Sequence, residues 1–149
     1  MIRFGFKVDL GHGIVFDSAR LMRSSADATK KNLTKFGAFT RTRARSSIRR
    51  RKAVSAPGEP PSAHGDELKD IRFDYDERLR SVVIGPIRLP GKLGNAPEAL
   101  EHSGPSVVYQ HADHNRETRP AYIRERPFMG PAFAEELKRL PATWRDSMK

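Results

Sequence analysis

Residues 41–65 read RTRARSSIRRRKAVSAPGEPPSAHG, and their reading decides the fold because a cation-dense helix end runs there into proline and glycine. Seven of the twelve positions from 41 to 52 are basic: Arg41, Arg43, Arg45, Arg49, Arg50, Arg51 and Lys52. The chain as a whole carries a formal net charge of +10, so much of its charge asymmetry is local. Past Ala53 a helix cannot continue. Pro57, Pro60 and Pro61 remove amide donors and push each preceding residue to extended geometry, so an extended arm or a long loop is expected over 53–66.

Upstream of the run, Asp17 or Ser18 can N-cap a helix over 17–50, since no proline interrupts it. Met22, Ala26, Thr29, Leu33, Phe36, Thr40, Ala44 and Ile48 step by three or four and form one narrow apolar stripe. Such a helix is about 50 Å long at 1.5 Å per residue. That exceeds what a domain of 149 residues can cover, so part of it is expected to pack on another subunit. Gly37 is a candidate bend. Before the helix, Ile2, Phe4, Phe6 and Val8 alternate over 2–8 as an edge strand ended by Gly11 and Gly13.

Downstream, Leu68, Ile71, Phe73 and Tyr75, then Val82, Val83 and Ile84, predict a β-hairpin over 69–86 that Gly85-Pro86 closes. Residues 87–97 are a basic loop, and a short helical turn covers Pro97 to His102. Strands near Val107–Gln110 and Ala121–Arg124 flank a polar loop within 106–126. A helical segment over 128–148 carries Phe133, Leu137 and Leu140 as its apolar face and stops at Pro141. The expected architecture is one α+β domain over 1–149. A long N-terminal helix and a C-terminal helix pack on a small antiparallel sheet, with extended arms.

The 37% hydrophobic and 31% charged composition is lean for a self-sufficient globular core. Cysteine is absent, which removes disulfides and thiol catalysis. The N-terminal stretch lacks the continuous apolar segment of a signal peptide, and no apolar run approaches the roughly 20 residues that cross a bilayer, so an origin in the cytoplasm without a membrane partner is expected.

Little in the chain points to catalysis. No G-x-S-x-G elbow, phosphate loop or dinucleotide fingerprint occurs. Glu101, His102, His111, Asp113 and His114 could in principle hold a divalent metal and activate water. Their spacing matches no complete site, and a metal-dependent hydrolase remains the least favoured class. No cofactor is expected. For the basic run two readings stay open: a solvated end that meets acidic residues of a neighbour, or a sequence-independent contact with nucleic acid through arginines on one helical face. The run has no aromatic residues to stack on bases, so sequence-specific recognition is not expected. Apolar residues in extended segments, among them Ile2, Phe4, Phe6, Ile87, Leu89 and Leu93, could add a strand to a neighbour.

The order of motifs carries a resemblance. A basic helix end, then PGEPPSAHGDELKDIRF, a hairpin ending SVVIGP, ALEHSG and RPFMGPAF before a last helix is similar to the tail-completion or head-tail joining proteins of long-tailed bacteriophages, and to related minor tail and virion-morphogenesis proteins. The likeness covers residues 18–140 and is most specific from Arg43 to Pro86 and at RPFMGPA. Pro57, Gly58, Pro60, Pro61 and Gly65 match the family's proline arm, Leu68 and Ile71 the start of its hairpin, and Gly85 and Pro86 the end. Leu100, Glu101 and Gly104 match an L-E-x-G segment that is one residue longer here. Arg126, Pro127, Phe128, Met129 and Pro131 match the C-terminal signature, with Phe128 as a core plug and the prolines at the helix start.

The resemblance implies a structural virion protein of the neck, assembled in the host cytoplasm into a sixfold homo-oligomeric ring around the DNA channel. Its implied partners are a head-side connector or stopper, the tail terminator or tail tube, and genomic double-stranded DNA through non-specific contact. None of the matched residues is catalytic in such a protein.

Overall fold

A computed structural model describes residues 6–9, 13–51, 53–63, 66–89, 94–109, 118–145 and 147. Asp17 caps the first helix, its carboxylate accepting from the Arg20 amide at 2.9 Å. Helix α1 then runs 30 residues, Ser18–Ser47, about 45 Å. It stops because Ile48 turns to extended geometry (φ −75°, ψ 107°), which pulls Arg49 out of the helix and into a parallel bridge with Ser62.

The buried row of α1 is Ala28, Asn32, Phe36, Gly37, Thr40 and Ala44, continued by Ile48. From Phe36 onward this is the expected stripe. Before it the stripe is corrected: steps of four from Ala28 carry the buried row past Ala26, Thr29 and Leu33, and Met22 is 66% exposed. None of residues 18–27 is buried.

The described residues form three separate two-stranded antiparallel ribbons instead of the single small sheet expected from the alternation. The α+β class stands. In the first ribbon β1 (Phe6–Asp9) pairs with β2 (Gly13–Phe16), so Gly13 opens a second strand where the sequence suggested the end of an edge strand. Residues 2–5, the rest of that expected strand, lie outside the described residues.

The second ribbon joins β3 (Ile71–Asp76) to β4 (Ser81–Pro86), pairing Ile71 with Pro86 and Phe73 with Ile84. Its four-residue turn is held by the Asp76 carboxylate, which accepts from the Arg78 and Leu79 amides at 2.8 and 3.0 Å. Ile71, Phe73, Tyr75, Val82 and Ile84 share the face that meets α1.

Gly37 lies under that face. A Cβ there would stand 2.7 Å from the Phe73 ring and 2.9 Å from Val82, so the glycine permits the close approach of ribbon and helix. Gly37→Val is expected to destabilise the fold by about 2 kcal/mol through overpacking, as read from the urea unfolding midpoint. A neutral result would mean that the ribbon sits further from the helix.

Helix α2 (Ala96–His102) leads through Ser103 and Gly104, both at positive φ, into β5 (Gly104–Tyr109), which pairs with β6 (Thr118–Ile123). Both strands are longer than expected, and Asn95 ties β5 to α2 by donating to the Pro105 carbonyl and accepting from the Ser106 hydroxyl.

The C-terminal segment is two short helices, α3 (Met129–Leu137) and α4 (Leu140–Trp144). Pro141 sits in the first turn of α4, so it starts a helix where the sequence suggested a stop. Pro131 is the third residue of α3, still within its first turn. The apolar face expected from Phe133 and Leu137 is also corrected, because they are 45% and 46% exposed while Ala132 and Glu136 are buried. The core joins Ala44 and Ile48 of α1 to Leu68, Ile71, Phe128 and Ala132, with Leu100, Met129, Ala63 and Ile84 packed around it.

Candidate assembly and polyanion-binding surfaces

The seven cations of the basic run do not act as one group. The Arg41 guanidinium lies 5.4 Å above the Phe73 ring, a cation–π contact with the hairpin. Arg43 donates from Nε to the Glu136 carboxylate at 2.6 Å, and Arg139 approaches the same oxygen at 3.9 Å. The Glu136 side chain is only 6% exposed, so its charge needs these partners inside the fold.

Arg45, Arg49, Arg50 and Arg51 are exposed. Arg50 faces Asp66 at 4.0 Å, and the Arg49 carbonyl accepts from the Ala63 amide. Lys52 lies outside the described residues. The single helical face expected from Arg41, Arg45 and Arg49 is therefore not formed: Arg41 is spent on Phe73, and Arg49 is past the helix end.

Removing Arg43 strands the Glu136 charge. Arg43→Ala should cost about 2 kcal/mol in urea unfolding, discounted from the full buried-pair penalty because Arg43 is partly solvated. A loss below about 0.5 kcal/mol would place Arg43 with the freely solvated cations.

The proline arm is tied to its own chain at Ser55 and Gly58. Arg126 donates from Nε to the Ser55 carbonyl at 2.9 Å, and the Gly58 amide donates to the Glu125 carbonyl. Gly58 turns there at φ +82°. Pro61 is fully buried, while Pro57 and Pro60 face solvent. What projects is the short turn from Ala56 to Pro60, and Gly65 is outside the described residues. Leu89 faces a hollow shared with Leu68 and Leu100 of its own chain, and Leu93 is outside the described residues.

The other family-matched residues converge on the start of α3. Both carboxylate oxygens of Glu101 accept from that helix: the Phe128 and Met129 amides at 3.0 Å each and the Gly130 amide at 2.6 Å. This satisfies three donors that a helix N-terminus leaves unpaired, and puts a negative charge where the helix dipole favours one. The Leu100 carbonyl accepts from the Arg126 amide, and Phe128, 1% exposed, fills the space behind. Gly85 and Pro86 end the ribbon that walls this corner. Pro127 leads into it.

Beside the corner lies a groove of about 640 Å³ lined by Ile84, Pro86, Ile87, Arg88, Pro97, His102 and Met129. Glu101 reaches it but is committed to α3, and His111, Asp113 and His114 lie outside the described residues. Among the described residues no cluster of His, Cys, Asp and Glu could hold a metal ion.

Sequence reasoning missed the apolar surface between α1 and α3. Phe36 and Phe133 meet edge-to-face at 5.3 Å, and Phe39 is 56% exposed beside them. Phe36, Phe39, Leu140 and Thr143 line a hollow of about 340 Å³. The signal was present as Phe36 and Phe39 on one helix and Phe133 and Leu137 on another, but the expected register turned the second pair inward.

Sequence reasoning also missed the ion pair between Lys30 and Glu77 of the ribbon turn. The hydrogen bond and charge of each partner hold the Lys30 ammonium above its ordinary range and the Glu77 carboxyl below its own. The pair's contribution is thus present at neutral pH and lost as pH falls through the acid side of the ordinary Glu value.

Among the described residues no helix is long and apolar enough to cross a membrane. No protein-family model, no curated protein and no solved structure matches this chain.

Proposed function

We propose that this chain is a structural protein of the phage neck, a tail-completion or head-tail joining element that assembles with copies of itself into a ring, six in number, around the channel for double-stranded DNA. It works by contact and without catalysis, in the virion, between a head-side connector or stopper and the tail terminator or tail tube.

The observation that carries this reading is the unfinished apolar surface. Phe39, Phe133 and Leu137 remain about half exposed around Phe36, and Leu21 and Met22, off the cationic arc at the start of the 30-residue helix, are exposed too. A monomer rarely leaves such a surface open; a second copy covers it. Contacts between unlike faces of identical subunits close into rings when the rotation permits. The core points the same way. Four of the nine buried hydrophobic residues among those described are alanines, so an isolated subunit has little apolar burial to spare.

Inactivating the reading frame in its phage tests the joining role. Filled heads and free tails, each complete but unattached, are the expected products, and normal virions would sink the proposal.

A further inference from the structure

Helix α1 carries eight cationic side chains and one carboxylate, Asp27. Three of the eight are engaged within the fold: Lys30 with Glu77, Arg41 with Phe73 and Arg43 with Glu136. The remaining five, Arg20, Arg23, Lys31, Lys35 and Arg45, are exposed and make no ion pair with any described residue. At 3.6 residues per turn these five fall within about a third of the helix circumference, and Arg20 to Arg45 spans about 38 Å along the axis.

The other residues on that arc are Ser24, Asp27, Thr34, Ala38 and Thr42, with Arg41 at its edge over the Phe73 ring, so nothing larger than alanine on it is apolar. A protein partner would find no apolar centre there, which an interface of this length needs. A phosphate backbone needs none, because cations in a row supply the affinity through counterion release. The length matches about 11 base pairs at 3.4 Å each. Arg20, Arg23 and Lys31 line a polar hollow of about 530 Å³, but Asp27 shares it, which favours contacts spread along the backbone over the capture of one phosphate. Arg49 and Arg51, past the helix end, are exposed as well.

We propose that the outer face of α1 is a contact surface for the backbone of duplex DNA, read without sequence preference. This extends the neck reading from the basic run to the length of α1, and binding itself requires no ring.

The test is fluorescence anisotropy of the full chain with two unrelated duplexes of about 30 base pairs, at roughly 50 to 200 mM salt. Both duplexes should bind equally, with a slope of log K against log salt of about −4.5. Lys31→Ala/Lys35→Ala/Arg45→Ala should bring that slope to about −2 and weaken binding at least about tenfold at 100 mM, with native mass and unfolding midpoint unchanged. Lys30→Ala should leave the slope as it was. Should the triple variant misfold, Lys31→Ala and Arg45→Ala alone should each remove about 0.9 from the slope.

The proposal is overturned if the wild type fails to bind, or if the triple variant binds as the wild type does. It is equally overturned if the triple variant changes only the assembly mass, which would assign the face to an acidic protein surface. A monomeric wild type with the expected slopes would remove the ring and leave this surface standing.

Discussion

Glu101→Ala is expected to lower the unfolding free energy by about 3 kcal/mol, since three backbone donors lose a charged acceptor at once. The donors are the Phe128, Met129 and Gly130 amides, at 3.0, 3.0 and 2.6 Å. The site is only partly buried, so water takes up some of them, which keeps the loss below three full desolvation penalties. Glu101→Gln keeps one acceptor oxygen and should lose about half as much. Urea unfolding gives both values. If alanine cost under about 1 kcal/mol, the carboxylate would not be what fixes the start of α3.

Phe128→Ala should cost about 4 kcal/mol, within the range for deleting a fully buried aromatic side chain. Phe128 is the largest of the fully buried side chains and touches the cluster of Ala44, Ile48, Leu68, Ile71 and Ala132. Phe128→Leu, which keeps most of the volume, should cost about 1.5 kcal/mol. Because the Phe128 amide is also one of the Glu101 donors, the two losses should not add. A double variant that falls short of the sum by about 1 kcal/mol would show that cap and plug act as one joint.

Local signals in the sequence went far for elements whose stability is local. Asp17 was a readable N-cap, the alternation of Ile71, Phe73 and Tyr75 against Val82 and Ile84 fixed a hairpin, and three prolines fixed an extended segment. Long-range partners were another matter. Phe133 and Leu137 have helical core spacing, yet Ala132 and Glu136 face inward, because a small side chain allows α3 to approach α1 and Arg43 compensates a buried carboxylate.

Nothing near Glu136 in the sequence announces Arg43, 93 positions away. Glu101 is hidden in the same way, 27 to 29 residues from the amides that it caps. Identical arginines then meet different fates within one run. A helical wheel drawn through Arg49 assumes a helix that ends at Ser47. The division of the strands into three ribbons was equally invisible, since alternation says which face is apolar and not which strand lies alongside.

The exposed Phe39, Phe133 and Leu137 and the uncovered start of α1 make self-assembly the claim on which the account rests. Native mass spectrometry of the full chain at micromolar concentration tests it most directly. A discrete closed species of six chains is expected, about 100 kDa from a subunit of 16.8 kDa, and Phe39→Asp or Phe133→Asp should weaken it. A monodisperse monomer across the whole concentration range would contradict it.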